Sequence, residues 1–243
     1  MTDVKTLPTL CFSADDEKKQ LTAVVVAAGN SVRMGKDKLL MNLCGKPVIL
    51  HTLNAFQGSV CVAKIVVVAN ENNICEIQKI CSENNISKLS DIVLGGDTRL
   101  DSVSNGISRC TTEYVAIHDG ARPLVTSEII EKVFEEAVKF GAAAAGAPVK
   151  NTLKTVNESG VVINTPDRKF IFEAHTPQIF SLDKYLLALS IAKNDPSREY
   201  TDDCMVYEAG NNQVKMVDCG YENIKITTSE DIIIAEQILK GRN

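Results

Sequence analysis

Cations follow the end of an apolar run in "VVVAAGNSVRMGKDKLL", residues 24–40 of a chain that is acidic overall. The run stops at Gly29, and Arg33, Lys36 and Lys38 come within ten positions. A glycine lets the backbone approach a ligand closely, and successive N–H groups in such a loop can cradle phosphate oxygens. Arginine adds a planar fork and lysine a compact charge, both suited to a polyphosphate. The same loop could instead be a solvated turn, and nothing singles out Lys36 from a water-facing cation. Two phosphate motifs are excluded: Gly29-x-Ser31 is not G-x-G-x-x-G, and no G-x-x-x-x-G-K-[ST] occurs.

Other stretches repeat the theme. "VAIHDGARPLV" puts His118, Asp119 and Arg122 directly after another apolar run, where an aspartate can take a metal or a sugar hydroxyl. Asp-Gly and Arg-Pro are equally ordinary turn chemistry. "GGDTRLDSV" opens with Gly95 and Gly96, after which Asp97 and Ser102 could contact a base or ribose; Asp97 could also simply cap a helix. "DRKFIFEAHTPQ" carries Arg168, His175 and Thr176, and "YENIKITT" carries Lys225 in an otherwise apolar run. Lys225 taken alone favours snorkelling outwards over pointing into a cleft. His51 fits a structural place in an amphipathic helix. Three histidines without ligand spacing argue against a histidine metal site.

These residues need a scaffold that gathers loop ends. Residues 23–28, 64–69, 92–94 and 114–117 are short runs rich in valine and isoleucine, as in parallel strands buried on both faces. Helix-like stretches lie between them at 47–56, 71–83, 97–110 and 127–140, with Pro47 suited to a first turn and Gly141 to an end. The series predicts an α/β fold: a Rossmann-like three-layer sandwich around a mostly parallel sheet, with right-handed crossovers. In such a sheet, ligands sit beyond the carboxyl ends of the strands.

Residues 142–147 enter a further strand. The segment 148–168 then alternates apolar and polar residues around Asn157-Glu158-Ser159-Gly160, which predicts a projecting β-hairpin arm at about 149–170. Helices are expected at 181–193 and 201–208 with Ser and Thr caps, strands at 214–217 and 224–226, and a last helix opened by Thr228-x-x-Asp231.

With 243 residues, 44% apolar and 23% charged, the chain reads as globular; one domain over 21–243 is expected, after an extension over 1–20 expected to be disordered. A net charge of −5 argues against a general nucleic-acid binder, so an anion site must be local. The start lacks the apolar core of a signal peptide, and no run approaches a membrane span. Eight cysteines without a C-x-x-C pair suggest buried free thiols in a reducing cytoplasm.

The motifs occur together and in order. Ala27-Ala28-Gly29, Arg33-Met34-Gly35 and Lys38 are followed by Gly95-Gly96-Asp97-x-Arg99-x-Asp101-Ser102-Val103 and His118-Asp119-x-Ala121-Arg122-Pro123. Then come Ala147-Pro148-Val149, Thr152 and Lys154, Thr176-Pro177-Gln178 and Asn223-Ile224-Lys225-Ile226-Thr227. From about Leu21 to the end, this set resembles the 2-C-methyl-D-erythritol 4-phosphate cytidylyltransferase family of the non-mevalonate isoprenoid pathway.

The resemblance implies an enzyme that joins CTP to the sugar phosphate with Mg2+ and releases pyrophosphate. It implies that Arg33 and Lys38 stabilise charge on the triphosphate and that Arg168 and Lys225 position the attacking phosphate. Ala27, Ala28, Gly29, Gly96, Asp97, Ser102 and Asp119 would hold CTP. Asp119, Arg122, Thr152 and Thr176 would line the sugar-phosphate site. It further implies a homodimer, with the arm lending Thr152 to the partner's site. No protein metal ligand is singled out, Mg2+ being held mainly by CTP.

This chain has Gly29-Asn30-Ser31 where many members have Gly-x-Gly, Gly120 where many have Ala, and Asp37 where Pro often stands. The nucleophile is already anionic, so no general base is needed, which accords with the lack of a Ser-His-Asp or paired-carboxylate set. A relative acting on ribitol 5-phosphate and a nucleotide-binding module without catalysis are the rival readings.

Overall fold

Valine and isoleucine prefer extended backbone, and the strands they form here are stacked between helices. The computed structural model describes residues 20–29, 37–195 and 197–242. The expected extension lies outside these apart from Gln20, as do Arg33 and Lys36. The strands are β1 (Leu21–Val26), β2 (Asn42–Leu43), β3 (Lys46–Pro47), β4 (Val62–Ala69), β5 (Leu89–Leu94), β6 (Tyr114–Asp119), β7 (Ala142–Pro148), β8 (Thr155–Val156), β9 (Val162–Asn164), β10 (Phe172–Ser181) and β11 (Lys215–Asp218). The helices are α1 (Val48–Gly58), α2 (Ile74–Glu83), α3 (Arg99–Ile107), α4 (Ser127–Phe140), α5 (Leu182–Lys193), α6 (Asp203–Ala209) and α7 (Ser229–Gly241).

Seven strands form one sheet in the order β11-β7-β10-β6-β1-β4-β5. The pairs β6–β1, β1–β4, β4–β5 and β7–β11 are parallel; β10 runs antiparallel to both its neighbours. Alternate side chains serve two cores. Ala23 and Val25 pack with Ile49, Leu53, Ile77, Ile130 and Phe134 under α1, α2 and α4. Val24 packs with Val103, Ile107, Tyr185 and Tyr207 under α3, α5 and α6. A third cluster joins Leu43, Val48, Leu124 and Ile226 to Ile232 and Ala235 of α7. The mostly parallel three-layer arrangement is therefore as the sequence implies. Burying one large apolar side chain of this kind is worth about 1.5–3 kcal/mol, so both faces of β1 contribute to holding it.

Local signals hold in part. Gly141 ends α4 with φ 86°, the left-handed region that glycine adopts without strain. Asp231 accepts from the backbone N–H groups of Thr227 and Thr228, both at 2.8 Å, and so opens α7. Pro47 stands one residue before α1 rather than in its first turn. Ser181 precedes α5 without a side-chain cap bond, and α6 is capped by Asp202, not Thr201. Residues 224–226 form no strand; their backbone is tied to the site by the bond from Ile226 N–H to Ala121 O at 2.8 Å. The edge strand β5 is only half-buried, having a neighbour on one side.

The sequence reading missed β10, because a proline argues against a central strand. The ladder from β10 to β7 slips between Ala174 and Gln178, and Pro177 falls in that irregular stretch, where no ladder N–H is required. Of the seven described cysteines, all free, only Cys81 and Cys204 are buried and Cys44 and Cys75 are exposed, which corrects the expectation of buried thiols.

Candidate active site

The chain leaves β1 towards β4 on one side and returns at β6 on the other. At such a reversal, successive loops diverge and leave a crevice beyond the carboxyl ends of the strands. A cavity of about 290 Å³ opens there, near the lower bound of about 300 Å³ for small-molecule sites. Its wall is built from the end of β1 (Ala27, Ala28, Gly29), from Lys38, from the loop before α3 (Gly96, Asp97, Thr98, Arg99, with Ser102), from Asp119 and from Lys225.

The loop before α3 is shaped by small residues. A side chain on Gly95 would meet the Ala28 Cβ at 2.5 Å and the Ser102 Oγ at 2.8 Å, so glycine lets this loop close on the end of β1. Ser102 is nearly buried and accepts from the Gly96 N–H at 3.1 Å, which gives it a part in holding the loop. Thr98 caps α3 by accepting from the Asp101 N–H at 3.0 Å. The helix therefore starts two residues later than expected, and Asp97 is left on the cavity wall.

Asp119 is the electrostatic centre. Lys225 Nζ lies 2.9 Å from its Oδ2, Arg122 Nε 3.5 Å from the same oxygen and Arg99 Nη2 3.9 Å from Oδ1. Burial by itself would raise this carboxyl, but Lys225, Arg99 and Arg122 outweigh burial and bring it down to about 2. Lys225 thus points into the cleft, contrary to the snorkelling favoured above: its irregular segment is pinned at Ile226 and the carboxylate draws its ammonium inwards.

Behind Asp119, His118 and Thr176 are fully or nearly buried. His118 Nε2 donates to the Arg122 carbonyl at 3.3 Å, because a carbonyl can only accept. Its Nδ1 then accepts from the Thr176 hydroxyl at 3.1 Å, and that hydroxyl accepts from the Asp119 N–H at 3.0 Å. Thr176 and His118 thus fix the Asp119 backbone. Arg122 is buried and donates to the Asn223 carbonyl at 2.8 Å.

Burial pulls His118 down to about 3, Asp119 opposing only in part. The unfolded chain takes up that proton near the ordinary histidine value of about 6.5. Over this window the unfolded state binds more protons, so stability is full above about pH 6.5 and falls as pH drops towards 3. We expect His118 to account for roughly 2 kcal/mol of the loss between about pH 7 and pH 5. Denaturant midpoints at both pH values, for the natural chain and His118→Gln, check this: the variant should show a shallower fall.

Thr152 and Arg168 are not brought to the cavity. Both are exposed on the segment that carries β8 and β9, and Arg168 donates to the Lys150 carbonyl at 2.6 Å. Arg33 lies outside the described residues. Among those described, no three His, Cys, Asp or Glu side chains gather as a metal cage. Asp97 and Asp119 are the carboxylates on the cavity wall, and the latter already faces three cations.

A family model for 2-C-methyl-D-erythritol 4-phosphate cytidylyltransferase matches residues 21–241. The chain belongs to that family. Curated relatives of that name from Lachnospira eligens and Desulforamulus reducens are 42% and 41% identical, covering 90% and 92% of this chain and 99% and 97% of theirs. A solved structure of 4-diphosphocytidyl-2C-methyl-D-erythritol synthase from Anaerococcus prevotii is similar with a TM-score of 0.82 at 27% identity, over 92% of this chain and 99% of that one.

Within the cytidylyltransferase family, the departure at Asp37 has a physical account here. The buried Asn73 amide donates to the Ala27 carbonyl at 3.0 Å and to Asp37 Oδ2 at 2.8 Å. Asp37 Oδ1 accepts from the Leu39 N–H at 3.0 Å. Hydrogen bonds, in place of a proline ring, tie the residue before Lys38 to the end of β1. Arg99 and Asn73 were not assigned roles from sequence. Arg99 stood inside a quoted motif and could have been found there; Asn73 carries no signal apart from its position before α2.

Proposed function

We propose that this chain transfers the cytidylyl group of CTP to 2-C-methyl-D-erythritol 4-phosphate and releases pyrophosphate. The observation that carries the reading is that Lys38, Lys225 and the glycine loop before α3 meet on one cavity at the strand-order reversal. An oxygen of the sugar phosphate attacks the α-phosphorus, a new P–O bond forms, and the bond to the β-phosphate bridging oxygen breaks. No proton must be removed from the nucleophile. The barrier lies in bringing polyanions together and in charge growing on the α-phosphate and the leaving group. Prepositioned cations meet that need, and alignment of both substrates supplies the rest.

In this reading Arg33 and Lys38 act on the triphosphate, and Lys225 with Arg168 on the attacking phosphate. Ala27, Ala28, Gly29, Gly96, Asp97 and Ser102 hold the nucleotide; Asp119, Arg122, Thr152 and Thr176 serve the sugar phosphate. A magnesium ion or another divalent cation would arrive on the CTP phosphates, with Asp97 and Asp119 the carboxylates on the cavity wall, and would supply charge neutralisation.

The arm and the missing pair of residues support a homodimer. The two-stranded β8–β9 pair is marginal alone, and Val161, Ile163 and Phe170 of the arm segment are 59%, 65% and 78% exposed. A second copy would cover them, and its arm would bring Thr152 and Arg168 to this cavity. A reducing, cytoplasmic location accords with the free thiols.

Pyrophosphate release tests the reading. With CTP in direct competition with ATP, GTP and UTP, CTP should be preferred; the small glycine-walled site accounts for at least about tenfold against the two purines. 2-C-methyl-D-erythritol 4-phosphate should be the better acceptor beside ribitol 5-phosphate. Equal use of ATP, or a preference for ribitol 5-phosphate, would overturn the assignment.

A further inference from the structure

Asp203 is fully buried at the first position of α6, outside every motif of the sequence analysis. One carboxylate oxygen accepts from Arg99 Nη2 at 2.6 Å, and the other from the buried Tyr185 hydroxyl at 2.8 Å. Its own backbone N–H and that of Cys204 donate to the Gln178 side-chain carbonyl at 2.9 and 3.0 Å. The Gln178 amide donates in turn to Asp202, the cap of α6, at 2.9 Å. Asp203 is thus held through its backbone by Gln178 of β10 and through its carboxylate by Tyr185 of α5.

A buried ion pair is weak evidence for stability, because desolvation offsets attraction and an apolar replacement is often neutral. Its geometry here has another consequence. Arg99 lines the cavity and lies between two carboxylates, bonded to Asp203 but 3.9 Å from Asp119. Without Asp203, the guanidinium would be drawn onto Asp119 Oδ1. That motion would remove Arg99 from its place on the nucleotide wall and occupy the Asp119 oxygen that neither Lys225 nor Arg122 takes.

We infer that Asp203, braced by Tyr185 and Gln178, is a positioning residue of the nucleotide site that holds Arg99 open from Asp119. The inference rests on the reading of this cavity as a CTP site. Asp203 touches no substrate; it acts through Arg99.

Calorimetric CTP titration of the full chain tests this with four proteins: natural, Asp203→Asn, Arg99→Ala and the double variant. Asp203→Asn should weaken CTP binding at least about tenfold, the scale for breaking a buried charge pair. The double variant should bind no worse than Arg99→Ala alone, because residues acting as one unit are not additive. Should Asp203→Asn not fold, Tyr185→Phe, which frees one carboxylate oxygen, must weaken binding in the natural background and not in Arg99→Ala. Affinity within twofold of the natural chain in whichever of these variants folds, or an equal loss in both backgrounds, overturns the proposal. If the natural chain bound no CTP at all, the nucleotide reading would fail first, and this proposal with it.

Discussion

Lys38→Ala should lower turnover by about a hundredfold to a thousandfold, about 3–4 kcal/mol, while the chain keeps its fold. The side chain is half-buried on the cavity wall and belongs to none of the apolar clusters. Its removal therefore leaves no core cavity, and the stability cost should stay near the 0.5 kcal/mol of ordinary surface changes. Its proposed work is on charge that grows only as the α-phosphorus is attacked, so the loss should fall on kcat. Arg33→Lys separates charge from shape: it keeps the cation, loses the planar fork, and should also fall well below the natural enzyme. Steady-state turnover at saturating CTP and Mg2+, beside thermal melts of each variant, makes the measurement. If Lys38→Ala kept more than about a third of natural turnover, well short of the loss for a transition-state contact, the loop would not be the catalytic element.

Two inactive variants should restore each other. Arg168→Ala and Lys38→Ala are each expected to be nearly inactive. In a dimer whose arms cross, a mixed pair has one site with both natural residues and one with neither. With random exchange between equal amounts, about half of the dimers are mixed, so about a quarter of all sites recover. The motivation is geometric: Lys38 lines the cavity and Arg168 does not, its guanidinium being held at Lys150 on the arm segment. Activity is followed after mixing, with subunit exchange established separately by a tag on one variant. No recovery despite exchange would mean that each chain completes its own site.

Much of the frame was legible in the sequence because it depends on local periodicity. Apolar runs alternating with helical stretches imply parallel strands and flanking helices, since those periods decide which face is buried. The αL glycine at 141 and the Thr228-x-x-Asp231 start of α7 are set by backbone sterics and by bonds within one turn of helix. Ordered motifs singled out the residues of the glycine loops, Asp119 and Lys225, and the fold brings these to the wall of one cavity.

Tertiary structure decided what depends on residues far apart in the chain. No local rule turns Lys225 inwards; Asp119, over a hundred positions earlier, does so at 2.9 Å. The same holds for Arg99 and Asp203, whose 2.6 Å bond joins the starts of two helices, and for Asn73, which ties β1 to the residue before Lys38. The strand β10 escaped because its proline lies at a slip in the ladder that exists only once β7 is beside it. Side-chain type and spacing determined which groups could do this chemistry, and the sheet determined which of them meet. The reason is physical: attraction between charges and hydrogen bonds acts over a few ångströms of space, and position along the chain does not specify that distance.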